Sequence, residues 1–335
     1  MFIADGHCDA TLRQFEAETP SFTEGMTITE SSLREGQVNM QLFALFAPVY
    51  DERADLFDSV LRQVDHFYNL IVSNEQVVFA PCTPLTEMSK TRAILALEGA
   101  DGLQDDWMKW RLMKRLGVES VGLTWNEGNG LAAGCMEERG HGLTNKGREV
   151  VTFLRNEGMI VDGAHLHDDS YFEAASLSDS FFVSHANSRT IHNHPRNLTE
   201  EQLRVIKEKN SLVGMTFFPK FINGSEKATF ADLLRHIDHI AGSIGSDYVG
   251  FGSDFDGIPQ SVSGLESPRG ILDLIDYMQK HYKEDDVRKF AGENYRRSIT
   301  NTSNATRTAT TVNDLSQLSK IKRNCQRRCV HPLRV

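Results

Sequence analysis

The sequence predicts an α/β fold, a (β/α)8 TIM barrel of eight parallel strands closed on themselves. Three observations lead there. Short apolar runs alternate with amphipathic stretches almost from end to end, the pattern of a parallel sheet with crossover helices. Eight such runs are present, which favours a closed barrel over an open, doubly wound sheet. Several of the runs are followed at once by a histidine or a carboxylate, and a parallel barrel gathers all such positions on one face.

The elements follow in order. Phe2 to Asp5 is the first strand and leads into His7 and Asp9; on an extended chain these i and i+2 side chains share a face and can converge on one cation. Met40 to Phe46 is the second strand, with a helix over Ala54 to Ser73. Ala93 to Leu97 is the third, ending at Glu98, and its helix is Trp107 to Leu116. Ser120 to Leu123 precedes the helix Asn145 to Glu157. Ile160 to Asp162 runs on to His165, and Phe181 to Ser184 ends at His185. Thr199-Glu200-Glu201-Gln202 reads as a capping box, so a helix is predicted over Thr199 to Lys209. Leu212 to Phe217 precedes the helix Phe230 to Ile244. Tyr248 to Gly252 is the eighth strand, followed by Asp254 and Asp256 and by a helix over Ile271 to His281.

Composition narrows the function classes. A net charge of -10 over 335 residues argues against a nucleic-acid partner, because phosphate binding needs a basic face. No stretch approaches the roughly 20 apolar residues of a membrane span, and the N-terminus lacks the basic and apolar regions of a signal peptide. A cytoplasmic location without membrane attachment is the expectation. Cys8, Cys82, Cys135, Cys325 and Cys329 are scattered and odd in number, which reads as reduced thiols. From Asn301 the chain turns to Thr, Ser and Asn and then to basic residues, so one domain is expected over 1–299 and a disordered basic tail over 300–335. Cys325, Cys329 and His331 in that tail lack a fourth ligand at zinc-finger spacing.

Each strand-end residue alone also fits an ordinary role: Glu98 beside a helix start, His165 or His185 as a hydrogen-bonded strand-end histidine, Asp254 and Asp256 in a turn before Gly257. Their joint occurrence at strand ends one, three, five, six and eight points elsewhere. Three histidines with two or three carboxylates exceed one tetrahedral zinc and suit two. Glu98 is the natural bridge, since one carboxylate offers two oxygens across the ~3.5 to 4 Å of a two-metal site. His7 and Asp9 would then complete one zinc and His165 and His185 the other, with a shared hydroxide between them. Asp254 would move the proton from that water to a leaving amine.

These residues resemble the membrane (renal) dipeptidase family, peptidase family M19: zinc peptidases on a barrel of the metal-dependent amidohydrolase type. The resemblance is carried, in the family's order, by Asp5-Gly6-His7-Cys8-Asp9, Leu97-Glu98-Gly99, Gly122-Leu123-Thr124, Asp162-Gly163-Ala164-His165, Ser184-His185-Ala186-Asn187-Ser188-Arg189, Arg196-Asn197, Gly252-Ser253-Asp254-Phe255-Asp256-Gly257 and Gly292-Glu293-Asn294-Tyr295. It covers residues 1 to 299 and is similar to bacterial-type cytoplasmic members. It implies two Zn2+ per chain, with His7, Asp9, Glu98, His165 and His185 as ligands. Arg196 is then assigned to the free carboxylate of a dipeptide and Asp254 to its amino end. It implies hydrolysis of L,L and L,D dipeptides, and a homodimer as the assembly of many relatives.

Three positions depart from the family pattern. Cys8 stands where asparagine is common, and its side chain should point away from the ligands on either side. Gly163-Ala164 replaces Leu-Ser or Val-Ser before the histidine, removing a hydroxyl near a ligand. Trp125 stands where the mammalian members carry a histidine that contacts the substrate carbonyl; an indole donates one hydrogen bond and holds no positive charge, so a narrower substrate range or slower turnover is expected. Two other readings stay open: a different barrel hydrolase, such as a lactonase, a phosphotriesterase-like enzyme or a deaminase, and an inactive metal-binding interaction protein. Against the first stands Asp9 in place of a second histidine, with no lysine in Val121 to Asn126 to bridge metals. Against the second, no ligand is missing.

Overall fold

The structure, a computed structural model, describes residues 1–17, 20–52, 54–79 and 88–298; the 300–335 segment, Cys82, Cys325 and Cys329 lie outside the described residues. The strands are β1 (Ala4–Asp5), β2 (Met40–Phe46), β3 (Val77–Phe79), β4 (Thr91–Glu98), β5 (Val118–Gly122), β6 (Ile160–Asp162), β7 (Phe181–Phe182), β8 (Val213–Met215) and β9 (Val249–Phe251). All pair in parallel, in the order β7-β6-β5-β4-β2-β1-β9-β8. A bridge between Val183 and Val213 joins the two ends, with Gly214 N donating to Val183 O at 2.8 Å. The expected eight-stranded barrel is therefore present and nearly closed.

β3 was not expected. β5 comes alongside β4 only from Leu95, so the edge of Thr91 to Ala93 would be bare; Val77–Phe79 pairs with it in register Val77 to Thr91. An apolar run of three gives little sequence signal, and the unpaired backbone edge supplies the demand for it. The other strands lie where expected, with ends moved by a residue or a few: the third begins earlier, at Thr91, and the sixth and seventh shorten to Phe181–Phe182 and Val213–Met215.

The helices are α1 (Ala10–Glu16), α2 (Glu30–Glu35), α3 (Leu56–His66), α4 (Trp107–Arg115), α5 (Asn145–Asn156), α6 (Asp168–Leu177), α7 (Glu200–Glu208), α8 (Pro219–Ile222), α9 (Phe230–Ile244), α10 (Gly270–Met278) and α11 (Glu284–Arg288). α3 runs on as a π-helical turn over Phe67–Val72, which fills the span expected for one long helix. The capping box of α7 is made in full: Gln202 N donates to Thr199 Oγ1 at 3.2 Å and Thr199 N to Gln202 Oε1 at 2.8 Å. α1, α2, α6, α8 and α11 were not foreseen; most are too short to show a 3.6-residue period. No described helix is long and apolar enough to cross a membrane.

The core has two parts. Phe2, Ala4, Met40, Leu42 and Ile94 form one cluster with Tyr295, while Phe43, Leu45, Leu95 and Leu97, the alternate residues of β2 and β4, join the large cluster with the helices. This alternation is the period-2 geometry of strands. It leaves the C-terminal ends of the strands for polar chemistry.

Candidate metal centre

His7 and Asp9 converge, but not as an extended pair. β1 ends at Asp5, and the chain beyond is laced between neighbours: Cys8 N donates to Leu42 O at 3.1 Å and Asp9 N to Phe255 O at 2.8 Å. Asp9 occupies the N-cap position of α1 at φ -104°, ψ 27°, yet its side chain makes no capping hydrogen bond. Its Oδ2 lies 3.3 Å from His7 Nε2 instead. An aspartate at an N-cap ordinarily accepts from the first-turn N–H groups; here the carboxylate is turned to the barrel axis. Cys8, between them, is buried in the core cluster, as expected of a side chain pointing the other way.

Glu98 ends β4 and divides its two oxygens. Oε2 faces His7 Nε2 at 3.5 Å, while Oε1 faces His165 Nε2 at 2.9 Å and His185 Nε2 at 3.6 Å. Donor atoms of His7, Asp9 and Glu98 lie within 4.8 Å of one another, as do those of Glu98, His165 and His185, and those of His7, His185 and Asp254. All six expected residues thus meet in one place. His7 Nε2 is buried there without a hydrogen-bond partner.

Two buried carboxylates hold the segments that carry this cluster. Asp162 Oδ1 accepts from Ala164 N and Ser184 N, both at 3.0 Å, and so ties the approach to His165 to that of His185. Asp5 does the same for His7 and Asp254, accepting from Ser253 N at 2.7 Å and Ser253 Oγ at 2.6 Å. Gly163 answers the departure seen in the sequence: a Cβ there would come within 2.5 Å of the Phe181 ring and 2.8 Å of Tyr171, so aromatic rings fill the space of a larger residue. His165, Asp254 and Asp256 adopt φ of 64°, 68° and 68°. Such left-handed backbone costs a side-chain-bearing residue about 1 to 3 kcal/mol and clusters at functional sites.

The electrostatics demand positive charge. Burial would lower the His7 imidazole, but Glu98 and Asp9 outweigh it and hold it well above its ordinary range. Burial likewise would raise Glu98, and His7 and His165 overcome that to hold it well below the usual carboxylate range. His165 is brought down to about 4 by burial and by Arg196. Burial and the neighbouring imidazolium and guanidinium hold His185 well below its normal value. Asp254 is pushed up to about 8 by burial, with Asp9 and Glu98 adding to it against His7 and Arg196. Two neutral imidazoles facing a carboxylate are the donor set of a divalent cation.

Above the cluster opens a cavity of about 340 Å³, lined on one side by Phe46, Tyr50 and Trp125 and on the other by Phe218, Phe221 and Ile258. Trp125 lies in this wall, its ring 6.2 Å from that of His165 and edge-on to Phe46 at 5.4 Å. Arg196 is buried beneath the Phe221 ring, 5.5 Å from its centroid, and donates to His185 O at 3.1 Å; its Nε has no partner. It forms no ion pair with a described carboxylate. Its loop is pinned by Arg189, bidentate to Asp168 at 2.8 and 2.9 Å, and by Asn197, which donates to His192 O and Phe221 O.

Several contributors carried no role in the sequence reading. Asn126 Oδ1 lies 2.9 Å from His165 Nδ1 and Ser184 Oγ 2.8 Å from His185 Nδ1; both adjoin motif residues, and that adjacency was the available signal. Gly257 was seen only as a turn residue. Tyr50 and Phe221 gave no signal, because nothing local says which loop side chain reaches a distant cavity.

The chain matches the family Membrane dipeptidase (Peptidase family M19) over residues 1–313. It is 29% identical over 265 residues to an uncharacterised dipeptidase of Schizosaccharomyces pombe, covering 72% of this chain and 64% of that protein. To the dipeptidase tcpJ of Claviceps purpurea it is 31% identical over 210 residues, covering 61% of this chain and 49% of that protein. The chain thus spans less than two thirds of the length of these relatives. Among solved structures it is similar to the dipeptidase AC, a metallopeptidase of family M19, with a TM-score of 0.79 and 25% identity over 89% of this chain and 98% of that one. A metallopeptidase from Rhodobacter sphaeroides, liganded with a phosphinate mimic of the dipeptide L-Ala-D-Ala, shares the fold with a TM-score of 0.81 and 24% identity over 90% and 99% of the two chains. With a family match over nearly its whole length, a parallel barrel and a histidine and carboxylate cluster at the strand ends, the chain belongs to the membrane dipeptidase family, peptidase family M19.

Proposed function

We propose that this protein is a zinc dipeptidase that cleaves the amide bond of free dipeptides, holding two Zn2+ ions bridged by Glu98. The observation that carries the reading is the division of Glu98, one oxygen toward His7 and the other toward His165 and His185. His7 and Asp9 would hold one ion, His165 and His185 the other. The donor set fits zinc, since imidazole nitrogen and carboxylate oxygen are its ordinary ligands and the orphaned His7 Nε2 needs a partner. When bound, the pair supplies Lewis acidity and a water that ionises near neutral pH.

The protein's own groups do the rest. A guanidinium matches a carboxylate bidentately, and Arg196, buried with no acidic partner, suits the C-terminal carboxylate of a substrate. Asp254 suits the ammonium end. Its carboxyl, near 8 among these side chains, would be drawn down by a neighbouring cation toward the range in which it takes up and releases a proton at neutral pH. That makes it the group to deliver a proton to the departing amine. Trp125, in the cavity wall, would have a single indole N–H to donate to the scissile carbonyl. A cavity of about 340 Å³ sits at the small end of ligand sites, which run from ~300 to 1,000 Å³, and favours a dipeptide over a longer chain.

The test is a zinc count on the purified chain with a panel of L,L and L,D dipeptides, before and after chelation and zinc restoration. Two zincs per chain and chelator-sensitive cleavage are expected. Metal without amide hydrolysis would overturn the reading and move the assignment to another amidohydrolase reaction. A homodimer in the cytoplasm completes the proposal, the former tested by sedimentation.

A further inference from the structure

We infer that the wall formed by Phe46, Tyr50 and Trp125 is a subsite for a bulky apolar side chain on the N-terminal residue of the substrate, an inference that rests on the dipeptidase reading. Aromatic rings line the cavity beside the histidine and carboxylate cluster, Phe218 and Phe221 after β8 as well as Phe46, Tyr50 and Trp125. Of the two groups suited to the charged ends of a dipeptide, Asp254, after β9, lines the cavity, and Arg196, after β7, lies buried behind Phe221. The wall from the end of β2 and the segments after β2 and β5 presents three aromatic rings: Phe46 stacks on Tyr50 with centroids 6.1 Å apart at 20° and meets Trp125 edge-on at 5.4 Å.

This wall is built, not incidental. Gln63 of α3 grips the backbone of Phe46 at two points, Nε2 donating to Phe46 O at 2.6 Å and Oε1 accepting from Phe46 N at 2.9 Å. The amide thus replaces a neighbouring strand at the end of β2 and sets the direction of the ring. Tyr50 is steadied in turn by its hydroxyl, which donates to Glu16 of α1 at 2.5 Å. Tyr50 nevertheless leaves 57% of its surface exposed, much more than an aromatic ring kept only for packing.

Position follows from the ends. Arg196 sits beneath Phe221 on the β8 side, so the C-terminal residue lies there. Asp254 is on β9's exit, adjacent to β1 in the barrel order, so the side chain of a residue held there by its ammonium would have Leu12, Phe46 and Tyr50, on the β1 and β2 exits, as its apolar neighbours. Trp125 then closes the pocket from β5. Replacing a small polar or cationic group by indole at that position adds contact area for an apolar side chain.

The experiment compares kcat/KM for Phe-Gly, Leu-Gly, Ala-Gly and Gly-Phe with the zinc-loaded enzyme, its Trp125→Ala variant and its Tyr50→Ala variant, each checked for zinc content. Phe-Gly and Leu-Gly are expected to exceed Ala-Gly by about tenfold or more, the scale of an apolar pocket contact, and each variant should shrink that ratio toward one. The Gly-Phe to Ala-Gly ratio should move little. Equal cleavage of Phe-Gly and Ala-Gly, or a ratio untouched by both variants, overturns the subsite while leaving a dipeptidase. Absence of cleavage for all four substrates and the wider panel overturns the dipeptidase reading itself.

Discussion

Asn126 Oδ1 sits 2.9 Å from His165 Nδ1, and this one contact sets the chemistry of the opposite nitrogen. A carbonyl oxygen only accepts, so Nδ1 carries the proton and the Nε2 lone pair faces Glu98, where a cation would lie. Asn126→Leu is expected to weaken zinc binding by about 10- to 100-fold, while Asn126→Asp, which keeps the acceptor, should retain it. Competition with a zinc chelator of known affinity measures both; equal affinities for the Leu variant and the parent would remove Asn126 from this role.

Gly257 is exposed, yet a Cβ on it would stand 2.1 Å from Asp9 Oδ2 and 2.7 Å from Asp254 Oδ1. Gly257→Ala should therefore push both carboxylates aside with little effect on Tm. A displacement of that order costs roughly 100-fold in kcat/KM. The expected pattern is a folded protein with a normal melting temperature and a crippled activity.

By the family resemblance Trp125 stands where a histidine contacts the substrate carbonyl in the mammalian members. Trp125→His is expected to raise kcat/KM on small dipeptides such as Ala-Gly by about tenfold, since one added donor to a developing oxyanion is worth at least that. No gain on any dipeptide would show that the indole already does what an imidazole could.

His236 links stability to pH. Fully buried in α9, it accepts from Ser188 N at 3.1 Å and pairs with Ile222 O at 2.8 Å, and burial lowers it from 6.5 to about 4. Its folded-state value lies below its unfolded one, so its contribution is complete above about 6.5. As pH falls from there toward 4, the unfolded chain takes up a proton that the folded chain refuses, and up to about 3 kcal/mol is lost. Denaturant unfolding at pH 7.5 and pH 5 should show a smaller loss in His236→Gln than in the parent. Equal losses would mean that His236 does not carry this dependence.

Much of the site was legible because it is built on strand ends. His7, Glu98, His165, His185 and Asp254 each follow an apolar run, and in a parallel barrel that position alone predicts a common face. His7 and Asp9 do not share a face of an extended strand, as their spacing predicts: the strand stops at Asp5, and backbone bonds to Leu42 and Phe255 bring the two side chains together. β3 escaped notice for a similar reason, since its three residues matter only once β5 leaves part of β4 unpaired.

What the sequence by itself determined was the barrel, through the period of its apolar residues, and the identity of the cluster at its mouth, through residues whose chemistry is local. Only the tertiary structure decided that Glu98 faces two ways, that Asp5 and Asp162 staple the segments that carry the cluster, that Arg196 lies beneath Phe221, and that Phe46, Tyr50 and Trp125 form one wall. The physical reason is range. Periodicity and capping act over a few residues along the chain, whereas the aim of a carboxylate or a ring is set by partners tens to hundreds of residues away, such as Ser253 for Asp5.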